Sequence, residues 1–404
     1  MTFAADFSAK AVRAWHITIL VYFTIFGMTF SSLMVRFPLV RELVHVTTAE
    51  LGLILFFGSI GSIVSVTLAG KFIARFGTRI AILTGITIVT IGFVGQVSFI
   101  SAGLPIGYAV LALFTGLGMG IADVGINVDG AAIETATGKT ALPKMHAGFS
   151  IGSLIGAAIG IGAAAIDFSL LWQIYILSAI TIAVPLLTAR LLPPGNGIEI
   201  KTPKDAPGST DKPESAKAVW SDRRIVFLAL GILGITVAEG ASNDWLTIAL
   251  VDDYSASDTN AGIGYAILLA AMTLTRFFGG NLADRFGKAR TLQVLAAAGI
   301  LGLLLIIFGG NLYLAWFGAL LWGCGVALGF PLYLSAAGEG EDPARKVAFV
   351  ASAGYLAFLV GPPSLGFLAH AWGATNMLLV LVAALVMTFI FATGAGNKVS
   401  KPGN

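Results

Sequence analysis

The chain has 404 residues, of which 57% are apolar and only 11% are charged. Soluble domains average about 45–50% apolar and about 25% charged residues, so this composition excludes a water-soluble globular fold. The net charge is only +3, and the basic residues do not cluster as a nucleic-acid partner would require. The single cysteine, Cys324, excludes an intrachain disulfide framework and a multi-cysteine metal site.

Twelve apolar windows are long enough to span a membrane as helices, because a bilayer core of about 30 Å needs roughly 20 apolar residues. Lys10 and Arg13 precede the first window, but no cleavage signal follows it, so we expect it to be a retained spanning helix. The windows are 15–35, 49–70, 80–100, 106–130, 145–166, 170–191, 224–248, 261–283, 290–308, 312–334, 347–369 and 375–395. The sequence therefore predicts an all-α membrane protein with twelve transmembrane helices.

One long polar interruption, 193–222, separates the sixth window from the seventh. It contains five prolines and many charged residues, a composition that cannot bury a core. We therefore predict a flexible cytoplasmic linker here, with one six-helix bundle over 1–192 and a second over 223–404.

The lysines and arginines predict the orientation, because positively charged loops stay in the cytoplasm during insertion. If both termini are cytoplasmic, 21 of the 24 basic residues lie on that side, with Arg190 counted at a cytoplasmic helix end. Only Arg36 and Arg41 then lie outside, and Arg276 lies within a helix. We expect both termini in the cytoplasm and the protein in a plasma membrane, namely the bacterial inner membrane.

A repeat relates the two predicted bundles. The segment Gly-Lys-Phe-Ile-Ala-Arg-Phe-Gly-Thr-Arg, 70–79, follows the second window, and Gly-Asn-Leu-Ala-Asp-Arg-Phe-Gly-Lys-Ala-Arg, 280–290, follows the eighth, 210 residues later. In each copy a glycine allows a tight turn, and the basic residues hold the turn at the membrane surface. The repeat predicts two halves of common architecture.

This repeat resembles the G-x-x-x-D-R-x-G-[RK] signature of the major facilitator superfamily, which occupies the same two loops. The resemblance implies two pseudo-symmetric six-helix bundles, a monomer in the lipid bilayer and secondary transport of a small-molecule substrate. It implies gating roles for the signature positions, although Ala74 stands where the family usually has aspartate. Those positions are Arg75, Arg79, Asp284 and Arg285.

The fourth window carries the most informative polar residues. Asp123 and Asn127 lie one helical turn apart on one face, and a charge at the bilayer centre costs about 3 kcal/mol. The run Asp-Val-Gly-Ile-Asn resembles the acid-x-G-x-N element of the fucose permease branch, which implies proton coupling at Asp123 and sugar contact at Asn127. The alternative is a carboxylate held only by helix packing. In the first window, however, Met34 replaces the acid that this branch places four residues before its proline.

Three further positions near these residues have alternative interpretations. Asp129 and Glu134 lie closer to the cytoplasmic end, where we expect them to anchor against Arg75 or Arg79. His146, at the start of the fifth window, has a side chain that titrates near neutral pH, but a lone interfacial histidine is more often a hydrogen-bonded structural residue.

The seventh window offers a second acid. Glu239 and Asn243 share a face, which predicts a further proton-coupling carboxylate beside a substrate-binding amide. Trp245 stacks on a sugar ring or belongs to the interfacial aromatic belt. We expect Arg276 to pair with Asp284 or with a neighbouring helix, and we also assign it to the gating set.

Arg36 ends the first helix, and Asp244 lies at nearly the corresponding point of the seventh, about 208 residues later, which is close to the repeat distance. Pseudo-symmetry therefore predicts an outer gate in which this pair of opposite charges closes the cavity. The alternative is that Arg36 extends its guanidinium to lipid headgroups.

No ATP-binding P-loop, HExxH or GxSxG motif occurs in a suitable context, so the sequence does not predict an enzyme. We predict a symporter that uses the proton gradient, without a cofactor, to move a sugar or polyol by alternating access. Proton-driven efflux of drug-like or metabolite cations is the first alternative, although the fifth window lacks the proline of the drug/proton antiporter signature. A membrane sensor or scaffold that transports nothing is the second.

Overall fold

The computed structural model describes residues 8–137, 142–198, 222–339 and 343–396, and these ranges are helical without a strand. Twelve helical stretches within them are long and apolar enough to cross a membrane, which confirms the predicted number of spans. The helices are α1 Ala9–Met34, α2 Phe37–Leu43, α3 Thr48–Phe76, α4 Thr78–Ser101, α5 Pro105–Thr137, α6 Leu142–Ala165, α7 Leu170–Thr188, α8 Arg223–Tyr254, α9 Asp258–Phe286, α10 Lys288–Phe308, α11 Leu312–Val326, α12 Gly329–Ala337, α13 Pro343–Trp372 and α14 Ala374–Phe391.

Two features of these helices differ from the predicted windows. The tenth span is broken into α11 and α12 at residues 327–328, whereas the sequence predicts one continuous helix. The predicted linker begins later than expected, because Asn196 is only 5% exposed and its carbonyl oxygen accepts a hydrogen bond of 2.8 Å from the Thr78 amide. The rest of the linker, 199–221, lies outside the described residues, and its cytoplasmic location stays a prediction.

The repeat has the same backbone form in both copies. Gly77 and Gly287 end α3 and α9 with φ of +83° and +82°, a conformation that a residue with a Cβ adopts only at a cost. Each glycine amide donates to the carbonyl oxygen four residues earlier, at 2.7 Å for Gly77 and 2.9 Å for Gly287. The glycine in each signature is therefore fixed by the turn that joins one spanning helix to the next.

The chain divides into two compact units. The first contains Met1–Thr202 together with Ala256–Ala266 and Pro362–Ala371, and the second contains Pro203–Ser255, Ile267–Gly361 and Trp372–Asn404. We call them unit 1 and unit 2. The two short additions to unit 1 come from α9 and α13, so the units do not follow the predicted division at 193–222 throughout. That division into two folding domains stays a prediction.

The core of unit 1 lies between α1, α4, α5 and α6. Trp15, Ile19, Tyr22 and Phe23 of α1 meet buried aliphatic residues of α4 and α5 there. The helix α1 also packs closely on a row of glycines in α6, namely Gly148, Gly152, Gly156 and Gly160. A Cβ at Gly152 would overlap the Thr24 carbonyl group, so the two backbones touch at this point.

We expect Gly152→Ala to destabilise the protein by about 1–3 kcal/mol, because an added methyl group forces α1 and α6 apart. The matched control is Gly162→Ala on the same helix, where a Cβ would meet nothing within 4 Å. This control should be neutral or slightly stabilising, since alanine favours a helix. Thermal unfolding of the purified variants measures the difference, and equal midpoints for the two would contradict the proposed packing.

Candidate functional site

Asp123, Asn127 and His146 form a hydrogen-bonded group, which we call the polar triad. The Asn127 side-chain amide donates to the Asp123 carbonyl oxygen at 2.8 Å and to its Oδ1 at 3.1 Å. The Asn127 Oδ1 lies 3.2 Å from His146 Nε2. Because the Asn127 oxygen is only an acceptor, His146 Nε2 carries the hydrogen in this arrangement. The triad therefore connects a carboxylate of α5 to an imidazole of α6 through one amide.

The helical periodicity of α5 produces this polar face. Asp123 and Asn127 are four residues apart and stack along the helix, while Ala122 and Ile126 are buried in the core of unit 1. The Asp123 side chain is exposed although it lies within the span Pro105–Thr137. An exposed carboxylate inside a membrane span normally faces a water-filled space, since lipid does not solvate it.

His146 is a residue that the sequence did not assign to the site. Its ring packs against Phe23 of α1, with the ring centroids 4.9 Å apart and the planes tilted by 55°. Phe23 and Asn127 therefore both position the imidazole. The available signal was a histidine near the start of an apolar span, but its contact with Asn127 depends on how α5 and α6 pack together.

Asp129 plays a different part from the one expected. It is fully buried, and its oxygens accept hydrogen bonds from Trp15 Nε1 at 2.8 Å and from Asn196 Nδ2 at 2.7 Å. The expected anchoring of Asp129 by Arg75 or Arg79 is therefore wrong: an indole and an amide satisfy the carboxylate instead. Glu134 accepts from the Leu142 amide at 2.9 Å, which joins the end of α5 to the start of α6.

The signature residues have similar surroundings in the two units. The Arg75 guanidinium lies 5.3 Å from the ring centroid of Phe76, and Arg285 lies 5.2 Å from that of Phe286. Each arginine thus rests on the aromatic residue that precedes the turn glycine. Asp284 is exposed and Arg79 is half-buried. The gating role of these four residues stays a prediction.

Glu239 in unit 2 is paired rather than isolated. Its Oε1 lies 2.5 Å from Arg276 Nη2, and Arg276 Nε donates to the Ala327 carbonyl oxygen at 3.0 Å. The expected pairing of Arg276 with Asp284 is therefore wrong, and the neighbouring-helix alternative is the one the structure shows. Ala327 lies at the break between α11 and α12, so Arg276 bridges a carboxylate and an interrupted helix. Asn243 donates to the Glu239 carbonyl oxygen at 3.3 Å.

Trp245 is completely buried, and its Nε1 has no hydrogen-bond partner among the described residues. A ring without exposed surface does not lie in the lipid interface, so the aromatic-belt interpretation is wrong, and the substrate-binding role of Trp245 stays a prediction. Its neighbour Asp244 is half-buried and accepts no hydrogen bond from a described residue.

Arg36 is buried within unit 1, with only 4% of its surface exposed. Its Nη2 donates a long hydrogen bond of 3.4 Å to the Phe168 carbonyl oxygen, while Nε and Nη1 bond to no described atom. Burial lowers the pKa of Arg36 from its ordinary value, although Asp258 and Asp167 act in the opposite direction. The lipid-headgroup interpretation is wrong, because it requires an exposed guanidinium. The gate with Asp244 stays a prediction.

Comparisons with known proteins agree with this architecture. A family model described as Major Facilitator Superfamily matches residues 18–343. An uncharacterised MFS-type transporter of Yersinia pestis is 28% identical over 371 residues, covering 90% of this chain and 92% of that protein. An uncharacterised transporter of Sinorhizobium fredii is 27% identical over 372 residues, covering 91% of this chain and 94% of that protein.

Solved structures with the same fold include the transporters NupG and FucP. The nucleoside transporter NupG has a TM-score of 0.71 at 16% identity, covering 96% of this chain and 100% of that chain. FucP, in the outward conformation, has a TM-score of 0.63 at 17% identity, with the same coverage of 96% and 100%. These identities establish the shared fold alone. Because the family model spans most of the sequence and the twelve spans agree with it, the chain belongs to the major facilitator superfamily and is a membrane transporter rather than an enzyme.

Proposed function

We propose that this protein is a proton-coupled symporter of a small, neutral, hydroxyl-rich solute, a sugar or a polyol, that works by alternating access. The observation that carries the proposal is the polar triad. It places a carboxylate beside an amide on an exposed face of a membrane-spanning helix. A carboxylate changes its charge when it takes up a proton, and an amide both donates and accepts hydrogen bonds without changing charge.

The triad supports a simple order of events. With Asp123 ionised, Asn127 donates both of its observed hydrogen bonds to that residue. Protonation of Asp123 removes the charge that this donor stabilises, which weakens the bond to Oδ1 and leaves that side of the amide available to a solute hydroxyl. The loaded site is then neutral, so the protein can close around it and open on the other side without the cost of about 3 kcal/mol for a charge within the membrane.

Two structural relatives support the class of solute. One is described as a fucose:proton symporter, with a TM-score of 0.62 and 18% identity, and NupG is described as a nucleoside transporter. Fucose and nucleosides both present sugar hydroxyls to their transporters. We therefore include nucleosides as the second substrate class of this proposal, to be distinguished from sugars and polyols by experiment.

Counterflow in proteoliposomes tests the proposal. Labelled L-fucose, sorbitol and uridine are tested for exchange, with a labelled drug-like cation as the comparison, and the external pH is recorded when the accepted substrate is added. We expect exchange of at least one of the three hydroxyl-rich solutes and external alkalinisation upon its addition. Proton release instead would favour the cation-efflux alternative, and no exchange of any sugar, polyol, nucleoside or drug-like cation would favour a sensor or scaffold.

His146 should affect solute binding more than proton coupling. We expect His146→Ala to raise the KM for the accepted solute roughly fivefold to tenfold, because Asn127 loses the donor that orients its amide. This change corresponds to the loss of one hydrogen bond worth about 1 kcal/mol or slightly more. His146→Gln supplies a side-chain N–H and should recover most of this loss. His16→Ala, outside the triad, is the control. An unchanged KM in His146→Ala would mean that the imidazole does not orient Asn127.

A further inference from the structure

Unit 1 contains a cavity of about 500 Å³ that the polar triad does not line. It lies where α1 passes into α2 and where α6 passes into α7, and the first residues of α9 complete its wall. The polar residues that line it are Arg36, Ser101, Asp167, Ser169, Ser257, Asp258 and Thr259. Cavities of about 300–1,000 Å³ are typical of small-molecule sites, so this one has the size of a single small ligand.

Arg36 is the reason to treat the cavity as a binding site. It is a buried guanidinium with two nitrogens, Nε and Nη1, that lack a hydrogen-bond partner among the described residues. Buried polar groups in native proteins almost always have a partner, because leaving one unsatisfied costs about 1–3 kcal/mol. Its one hydrogen bond among the described residues, to the Phe168 carbonyl oxygen, is 3.4 Å long and therefore weak. The guanidinium can thus turn toward a ligand that supplies acceptors.

The charges around the cavity narrow the chemical class of that ligand. Arg36 requires acceptors, whereas Asp167 and Asp258 require donors, and both carboxylates act on Arg36 electrostatically. An anion would be attracted by the arginine but repelled by the two acids, and a cation would be attracted by the acids but would supply no acceptor to the unsatisfied Arg36 nitrogens. A ligand with neighbouring hydroxyl groups accepts from the guanidinium and donates to the carboxylates without adding charge.

The wall also offers an apolar surface. Phe168 lines the cavity with 38% of its surface exposed, and Leu39 and Leu171 line it as well. A sugar ring has apolar C–H faces as well as polar edges, so an aromatic ring beside charged groups matches both parts.

We propose that this cavity is a second solute site, which binds a neutral hydroxyl-rich ring through Arg36 and its neighbouring carboxylates. The proposal deepens the proposed function, on which it rests for the class of solute. The second site lies at the ends of the helices, away from the polar triad, so it would collect the solute before transport or hold it after transport.

Protection of a single cysteine tests the site directly. In full-length protein with Cys324→Ser, Ser169→Cys places a thiol in the cavity wall at an exposed residue whose side chain makes no capping hydrogen bond. Asp252→Cys is the matched control, since this exposed residue does not line the cavity. The rate of fluorescein-maleimide labelling is measured in detergent with increasing L-fucose, sorbitol, uridine or glycine betaine.

We expect saturating concentrations of at least one of the three hydroxyl-rich solutes to slow labelling at position 169 but not at position 252. Adding Arg36→Gln should raise the concentration for half-protection at least about tenfold, because a hydrogen bond to a charged group is worth about 1.5–3 kcal/mol. Asp258→Asn, a smaller change, should raise it less and guards against loss of folding in the arginine variant.

The other outcomes separate this proposal from the proposed function. Equal half-protection with and without Arg36, or protection by glycine betaine alone, would overturn the second site. Protection that disappears in Asn127→Ala would overturn it too, because a change at the polar triad would then be acting from a distance. If a solute exchanges in counterflow but does not slow labelling at position 169, the second site is rejected and the transport proposal stands. If a solute slows labelling but none exchanges in counterflow, the transport proposal is rejected and the second site stands.

Discussion

Asp123→Asn should abolish proton-driven accumulation of the solute while leaving its exchange across the membrane largely intact. Asparagine preserves the shape of the side chain and its place beside Asn127, but it does not titrate. One elementary charge moved through 100 mV is worth about 2.3 kcal/mol, so loss of a single coupled proton removes roughly 50-fold accumulation at that potential. Accumulation and counterflow, measured in the same proteoliposomes, separate the two effects.

Glu239→Gln is the matched comparison, because it also replaces a carboxylate within a membrane span by its amide. Glu239 is paired with Arg276 in the structure, whereas Asp123 is bonded only through neutral groups. We therefore expect the Glu239 substitution to reduce coupling less than Asp123→Asn. Should Asp123→Asn still concentrate solute while Glu239→Gln does not, the coupling proton binds in unit 2 and the assignment by resemblance is wrong.

The twelve spans were predictable from the sequence because hydropathy over about 20 residues follows directly from the thickness of a bilayer. The signature loops were predictable for a similar reason. Gly77 and Gly287 have a positive φ, which few residues besides glycine adopt, so the glycine itself indicates the turn. Asp123 and Asn127 also lie together as expected, since their contact depends only on the periodicity of one helix.

Contacts between helices were not predictable in the same way. Asp129 was expected beside an arginine, but it accepts from Trp15 and Asn196, which are 114 and 67 residues away in sequence. Their approach depends on packing between elements, which hydropathy does not encode. Trp245 is a second example, because an aromatic residue near a helix end suits a lipid interface and a protein interior equally well until its neighbours are known.

The break in the tenth span has a cause that the predicted window 312–334 overlooked, and it makes Arg276 important for stability. Pro331, four residues after Ala327, has no N–H to donate to the Ala327 carbonyl oxygen, and its ring crowds that oxygen. In the structure, the Ala327 carbonyl oxygen accepts from Arg276 Nε, and the same guanidinium pairs with Glu239. The Arg276 guanidinium therefore bonds both a carbonyl oxygen at the helix break and the Glu239 carboxylate, whose side chain is 15% exposed.

Arg276→Ala should consequently be among the most destabilising single substitutions in unit 2. Removing one partner of a buried ion pair typically costs about 3–5 kcal/mol, and the 39% exposure of the Arg276 side chain places the expected value near the lower end. The double variant Glu239→Gln with Arg276→Gln removes both charges and should be markedly more stable than Arg276→Ala, since no isolated carboxylate remains.

Arg290→Gln, which replaces an exposed arginine at the start of α10, is the control for loss of one positive charge. Thermal unfolding in detergent measures the three variants against the wild type. If Arg276→Ala unfolds at the same temperature as Arg290→Gln, the pair of Glu239 and Arg276 contributes no net stability. Arg276 would then act in the conformational change of transport, and its loss would change turnover without changing the unfolding temperature.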